Sequence, residues 1–164
     1  MNQFPTVEAS LALVAALYNG KLDRGGQPKA AHCARVVGNL PPHVGYHVRA
    51  AAAHHDTLED FPMISISTLL GLGYSPQTVL MVKALTHEPE MSYDEYIDRL
   101  ITMGDPGPLY VKLADNTDNI CLKRRDQLSP EHRAWHVDRC TKVYYPTRTK
   151  LCAALKALTG EEYQ

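Results

Sequence analysis

Three segments of the sequence carry side chains of the kinds that bind metal ions. The first contributes His32, the second runs from His54 to Asp60, and the third contributes Asp115. Imidazole nitrogens and carboxylate oxygens are ligands for divalent first-row ions, which activate water and neutralise charge on phosphoryl groups. We therefore expect the three segments to meet in a metal site.

The second segment concentrates three carboxylates next to a histidine. On a helix, which turns about 100° per residue, four of its side chains fall within an arc of about 140°: His55, Asp56, Glu59 and Asp60. His54 lies outside this arc and is not assigned to the site. The preceding residues are mostly alanine and valine, so the segment is expected to be buried. Buried carboxylates need a cation or several hydrogen-bond donors, and a divalent ion supplies that charge.

The third segment places polar side chains on an otherwise apolar helix. Asp115 and Asn119 are four residues apart and share a face, with Lys112 three residues before Asp115. Simpler explanations exist when the segments are taken separately. Asp56 could be a surface residue, Glu59 and Asp60 could form a solvated helix end, and Asp115 could be an ordinary buried residue that Lys112 holds. The joint occurrence of all three segments favours the metal site.

Helical periodicity extends through nearly the whole chain, and no stretch shows the convincing alternation of a β-strand. We predict an all-α fold, a compact multi-helix bundle formed by one domain over residues 1–164 with a core at about 6–158. The predicted helices span about residues 6–19, 30–40, 43–56, 65–70, 75–85, 91–103, 109–122 and 129–158, the last kinked near Pro146.

The composition excludes several classes of protein. The 164 residues include 17 Lys+Arg and 18 Asp+Glu, a net charge of −1, which argues against a nucleic-acid binder. The longest apolar run, residues 9–17, is too short to cross a bilayer, and no signal peptide or membrane partner is expected. Four cysteines without a CxxC pair predict reduced thiols and a cytoplasmic location. The oligomeric state stays open, with a homodimer as one alternative.

The metal-binding residue types also resemble the signature of a known family. His32, the pair His55-Asp56, and Asp115 are similar to the H…HD…D signature of HD-domain phosphohydrolases. Within that superfamily, residues 51–60 resemble the AALLHDxxED segment of Rel/SpoT-type alarmone hydrolases, and residues 111–119 their VKLADxxxN segment. The resemblance covers about residues 6 to 126, and the chain length fits the single-domain small alarmone hydrolases.

The resemblance implies roles for individual residues. One Mn²⁺ or related ion would be held by four ligands: His32, His55, Asp56 and Asp115. Glu59 would orient or deprotonate the attacking water, and Asp60 would assist it. The implied substrate-binding residues are Arg24, Lys112 and Asn119.

The implied activity is that of a metal-dependent nucleotide pyrophosphohydrolase that removes the 3′-pyrophosphate from (p)ppGpp or (p)ppApp-like alarmones of the stringent response. Four departures from the family pattern affect substrate contacts: Gly25 replaces a lysine, Lys29 a tyrosine, Cys33 a proline and Asn116 an arginine. Two alternatives therefore stay open. One is an HD phosphatase acting on another nucleotide, such as the 2′-phosphate of NADPH or a dNTP, and the other is a non-catalytic nucleotide-binding HD domain.

Overall fold

A computed structural model describes residues 4–23 and 26–163, except for the side chain of Arg124. Within this part of the chain the secondary structure is helical, apart from one isolated bridge between Leu22 and Pro28. The α-helices are α1 Val7–Leu17, α2 Lys29–Gly38, α3 Tyr46–Ala53, α4 Thr57–Asp60, α5 Ile66–Gly71, α6 Pro76–Leu85, α7 Tyr93–Thr102, α8 Pro106–Asn119, α9 Leu122–Asp126, α10 Pro130–Arg139 and α11 Tyr145–Thr159. The all-α prediction is confirmed.

Local sequence signals set several helix starts. Thr6, Ser65, Ser75 and Ser92 each accept a hydrogen bond from a backbone N–H of the first turn that follows them. A side-chain oxygen at this position satisfies a donor that the helix itself leaves unpaired. The capping residues therefore fix these helix starts to within one or two residues of the predicted ones.

Helix α3 lies at the centre of the bundle and packs against α1, α2, α6 and α8. Its last four residues, Ala50–Ala53, are fully buried. Small side chains let the neighbouring helices approach closely, so α2 and α8 can both reach the C-terminal end of α3. This packing brings the three metal-binding segments together.

The continuous helix predicted through Asp56 is wrong. Helix α3 ends at Ala53, and the one-turn helix α4 begins at Thr57 after a turn. The His54 backbone has φ −101° and ψ 8°, outside the helical range, and its carbonyl accepts a hydrogen bond from the Thr57 N–H. The wheel argument that placed Glu59 and Asp60 on one face with His55 therefore does not hold.

The C-terminal helical region also differs from a single kinked helix. Helix α10 passes into a π-helical turn over Cys140–Tyr144, and α11 follows it with Pro146 in its first turn. Proline lacks a backbone N–H and fits the first turn of a helix, so the irregular turn comes just before the predicted kink. Among the described residues, no helix is both long and apolar enough to span a membrane.

His54 is a buried histidine that the fold holds in its neutral form. One ring nitrogen lies 2.8 Å from the Tyr74 hydroxyl and the other 3.2 Å from Thr57 Oγ1. Burial, with a smaller effect from the neighbouring His55, lowers the pKa of His54 to about 4. The unfolded chain binds a proton here at higher pH than the folded chain, so stability falls as the pH drops below the ordinary value of 6.5.

We expect His54→Gln to reduce the acid sensitivity of folding. Between pH 7 and pH 5 the wild type should lose about 2 kcal/mol of unfolding free energy that the variant does not lose, because glutamine cannot take up the proton. Urea denaturation at the two pH values measures the difference. His132→Gln changes an exposed histidine and should behave as the wild type. An equal loss in His54→Gln and wild type would contradict the prediction.

Candidate metal centre

Two imidazoles and one carboxylate converge where α2, the end of α3 and α8 meet. His32 Nε2 lies 3.2 Å from His55 Nε2 and 3.3 Å from Asp115 Oδ1. Each of the three residues offers one possible ligand atom, and these three atoms lie within 4.8 Å of one another. The side chains of this triad of His32, His55 and Asp115 are all buried.

The donor set of the triad fits a divalent ion. Ligand atoms bound at about 2.1 Å to one ion are about 3.0 to 3.4 Å apart in octahedral or tetrahedral geometry. Two of the separations within the triad fall in this range, while His55 Nε2 and Asp115 Oδ1 are 3.9 Å apart. Nitrogen and oxygen donors together suit Mn²⁺, Fe²⁺, Zn²⁺ and related ions. The residues present can therefore hold a metal ion, without selecting which one.

Asp56 borders the triad as the sequence predicts. Its Oδ1 lies 3.2 Å from His55 Nε2, and its Oδ2 lies 3.7 Å from His32 Nε2. The turn between α3 and α4 provides this position, because it lets His55 and Asp56 face the same point although they are adjacent in sequence. The assignment of Asp56 as the fourth ligand stays a prediction.

Hydrogen bonds orient both imidazoles toward the triad. His55 Nδ1 donates to the backbone oxygen of Ala52 at 2.9 Å, and His32 Nδ1 donates to Asp118 Oδ2 at 2.7 Å. In each ring the Nδ1 proton is engaged, so Nε2 is the nitrogen presented to the centre. Metal-binding histidines show this arrangement commonly, since the second bond fixes both the tautomer and the ring orientation.

Asp118 contacts a residue of the triad, although the sequence analysis did not single it out. It is buried on α8 and also accepts a hydrogen bond from Arg35 Nε at 2.5 Å. Arg35 thus supplies the positive charge that Asp118 needs behind His32. The available signal was spacing, because Asp118 follows Asp115 by three residues and so lies on nearly the same helix face.

Lys112 and Asn119 both bind Asp115, one from each side along α8. Lys112 Nζ lies 2.8 Å from Asp115 Oδ2, and Asn119 Nδ2 donates to Asp115 Oδ1 at 2.7 Å. The Lys112 ammonium also lies 5.7 and 5.4 Å from the ring centres of Tyr93 and Tyr96. These contacts fix the Asp115 carboxylate, and the predicted substrate contacts of Lys112 and Asn119 stay predictions.

The carboxylates of the centre are kept negatively charged by the cationic groups around them. Burial alone would raise the pKa of Asp115, but Lys112 and the two histidines hold it well below its usual range. The pKa of Asp56 is likewise lowered, against burial, by His55 and Lys29. Burial opposes protonation of His32, yet hydrogen bonds to Asp115 and Asp118 raise its pKa to about 9. The carboxylates thus attract a cation, whether a proton on His32 or a metal ion.

Glu59 and Asp60 lie near the triad but make different contacts. Glu59 Oε1 accepts a hydrogen bond from the His87 backbone N–H at 2.5 Å. Desolvation, together with the charge of Asp56, raises the pKa of Glu59. Asp60 Oδ2 accepts a hydrogen bond from the Tyr18 hydroxyl at 2.7 Å. The two carboxylates of α4 are therefore held by different partners.

A cavity of about 400 Å³ opens beside the centre. Its lining combines groups next to the metal-binding residues with aromatic side chains: Lys29, His32, Asp60, Asn119, Tyr18, Trp135 and Tyr144. Aromatic surfaces and charged groups in one cavity are suited to a nucleotide, which has an apolar base and anionic phosphates. The predicted substrate contact Arg24 lies outside the described residues.

Comparisons with known proteins give matches among solved structures. The sequence matches no protein-family model and no curated protein sequence. Among solved structures it is similar to a metazoan ortholog of SpoT that hydrolyzes ppGpp and plays a role in starvation responses. The TM-score is 0.64 at 20% identity, over 95% of this chain and 96% of the other. The two chains share one fold. At this identity the likeness confirms the fold expected from the Rel/SpoT-type resemblance.

We expect Asp118→Asn to weaken metal binding while leaving the fold intact. Loss of the carboxylate removes the group that orients His32, and such changes typically lower metal affinity about 10- to 100-fold. Calorimetric titration with Mn²⁺ measures the affinity, and a thermal melt reports folding. Asp138→Asn, which changes an exposed carboxylate on α10, should bind Mn²⁺ as the wild type does. An affinity within about twofold of wild type for Asp118→Asn would show that Asp118 does not support the ligand.

Proposed function

We propose that this protein is a metal-dependent hydrolase of phosphorylated nucleotides. The substrate class that fits best is the alarmones, with the 3′-pyrophosphate of (p)ppGpp or (p)ppApp-like nucleotides as the leaving fragment. The triad beside an open, partly aromatic cavity carries this proposal. The fold shared with a ppGpp-hydrolyzing protein supports the choice of substrate.

In this mechanism His32, His55, Asp56 and Asp115 hold the ion, with Mn²⁺ as the proposed metal. When bound, such an ion supplies Lewis-acid activation of water and of a phosphoryl group. Lys112 and Asn119 keep the Asp115 carboxylate in place, and Asp118 keeps the His32 ring in place. The preorganised ligands thus avoid the cost of rearranging when substrate enters.

Glu59 is the proposed general base. A carboxylate with a raised pKa accepts a proton from water more readily than an ordinary one, because its basicity is closer to that needed near neutral pH. The hydrogen bond from the His87 N–H fixes one carboxylate oxygen and leaves the other to take the proton. Asp60 is the proposed assisting residue, held at the cavity by Tyr18.

The cavity supplies the remaining contacts. Trp135 and Tyr144 offer aromatic surface for the base, and Asn119, which lines the same cavity, also contacts Asp115. Arg24 is the proposed partner for a phosphate group. Because Gly25, Lys29 and Asn116 depart from the family pattern, NADPH and dNTPs stay in the panel of candidate substrates.

A product assay tests the proposed function. Purified protein with Mn²⁺ is offered ppGpp, pppGpp, ppApp, NADPH and dNTPs, and released pyrophosphate and orthophosphate are measured separately. We expect pyrophosphate release from an alarmone, and we expect Asp56→Ala to abolish it. Asp94→Asn, which changes an exposed carboxylate on α7, is the matched control and should keep wild-type turnover.

The products separate the alternatives. Orthophosphate from NADPH, or turnover of dNTPs alone, would retain the hydrolase and reassign the substrate. Binding of an alarmone without turnover by the Mn²⁺-loaded protein would indicate a nucleotide-binding domain and overturn the proposed catalysis.

The role of Glu59 has a distinct kinetic signature. We expect Glu59→Gln to lower kcat about 10²- to 10⁴-fold, since the amide keeps the hydrogen bond to His87 but cannot accept the proton. The wild-type rate should fall as the pH drops through the raised pKa of Glu59, and this acid limb should disappear in the variant. Glu90→Gln changes an exposed carboxylate and serves as control. An unchanged pH–rate profile in Glu59→Gln would assign the base to another group.

A further inference from the structure

Lys29 places an ammonium group at the cavity side of the metal centre. It is the first residue of α2, and its Nζ lies 2.6 Å from Asp56 Oδ2 and 3.7 Å from Asp60 Oδ2. Its side chain is 24% exposed and lines the same cavity as His32. The charge is therefore partly shielded from water but open to a molecule in the cavity.

The Asp56 carboxylate connects this ammonium to the triad. Oδ1 faces His55 Nε2 at 3.2 Å, while Oδ2 is bound by Lys29. Oδ1 is thus the oxygen nearer to a metal-binding nitrogen, and Oδ2, which lies 3.7 Å from His32 Nε2, is the oxygen that the cation binds. Through this shared carboxylate, Lys29 is held at a fixed place next to where a metal ion would bind.

Among the described residues, two cations that contact carboxylates of the centre are not part of the cavity lining. Lys112 is bound to Asp115 beneath aromatic rings, and Arg35 is bound to Asp118 behind His32. Neither residue is part of the cavity lining, whereas Lys29 is. Lys112 and Arg35 thus stabilise carboxylates from outside the cavity, and Lys29 presents its charge to a ligand in the cavity.

The ammonium keeps capacity for a further partner. An ammonium group has three N–H donors. The contact with Asp56 occupies one donor, and Asp60 at 3.7 Å is beyond hydrogen-bond reach. Burial would lower the pKa of Lys29, but the charges of Asp56 and Asp60 raise it, so the group stays charged at neutral pH.

We propose that Lys29 is a phosphate-binding residue, whose ammonium, anchored on Asp56, donates to a phosphoryl oxygen of the substrate next to the metal ion. This inference rests on the proposed function, since it requires a phosphorylated substrate in the cavity. A lysine here supplies a compact charge that does not depend on a particular nucleobase. Lys29 would therefore determine affinity for phosphate rather than the choice of base.

This position gives Lys29 opposite effects on two ligands. The ammonium attracts a phosphate and repels a divalent cation held on the other side of Asp56. A merely structural lysine that kept Asp56 in place would instead support both ligands. Removing the charge therefore distinguishes the two roles by the direction of the changes in affinity.

The experiment compares Lys29→Met and Lys29→Gln with wild type. Mn²⁺ affinity is measured by calorimetry, and inorganic phosphate is then titrated into the Mn²⁺-loaded protein while its ³¹P relaxation is followed. We expect Mn²⁺ to bind both variants at least as tightly as wild type. Phosphate should bind about tenfold more weakly or worse, as expected for loss of a hydrogen bond between charged groups. Lys83→Met, which removes an exposed lysine from α6, should match wild type in both titrations.

Two results would overturn the proposal. One is unchanged phosphate affinity in Lys29→Gln, which retains a donor for Asp56 and serves as the second variant if Lys29→Met does not fold. The other is a parallel loss of Mn²⁺ and phosphate affinity in a folded variant, which would assign Lys29 a structural role. Neither titration depends on turnover. Failure of wild type to hydrolyse any nucleotide would thus count against the proposed function, while the titrations would still decide the role of Lys29.

Discussion

The buried carboxylate of Asp115 and the partly buried carboxylate of Asp56 impose the constraint on which the rest of this structure depends. Moving negative charge into a helical bundle is costly unless cations and donors surround it. The chain meets this demand with Lys112 and Asn119 on Asp115 and with Lys29 on Asp56. The two imidazoles complete the arrangement, and their ring nitrogens face the carboxylates at distances that a bound ion also requires.

The helix packing follows from the need to bring distant segments to this point. The fully buried alanines of α3 allow α2 and α8 to approach it closely. The turn after Ala53 then changes the chain direction, so that His54 and His55 face different surroundings. His54 enters a hydrogen-bonded core with Tyr74, while His55 faces the metal centre. Of these two adjacent histidines, one therefore belongs to the core and the other to the metal centre.

The cations around the centre differ between the side that lines the cavity and the side that does not. Away from the cavity, Arg35 and Lys112 are each paired with a carboxylate and fix the positions of the side chains they contact. On the cavity side, Lys29 remains open to a ligand, close to the aromatic surface of Trp135 and Tyr144. Under the proposed function, the phosphate and the base of a nucleotide would therefore lie on the same side of the metal ion.

The sequence by itself determined the helical class, most helix starts and the segments that form the centre. These features depend on local signals: apolar periodicity, capping residues such as Ser75, and residue types such as His55-Asp56. The tertiary structure decided the break after Ala53, the bond from His32 to Asp118 and the place of Lys29. Each of these depends on contacts between residues far apart in the chain, or on a turn stabilised by them. Local propensity and residue spacing do not specify which distant residues come into contact. These features are therefore seen only in the tertiary structure.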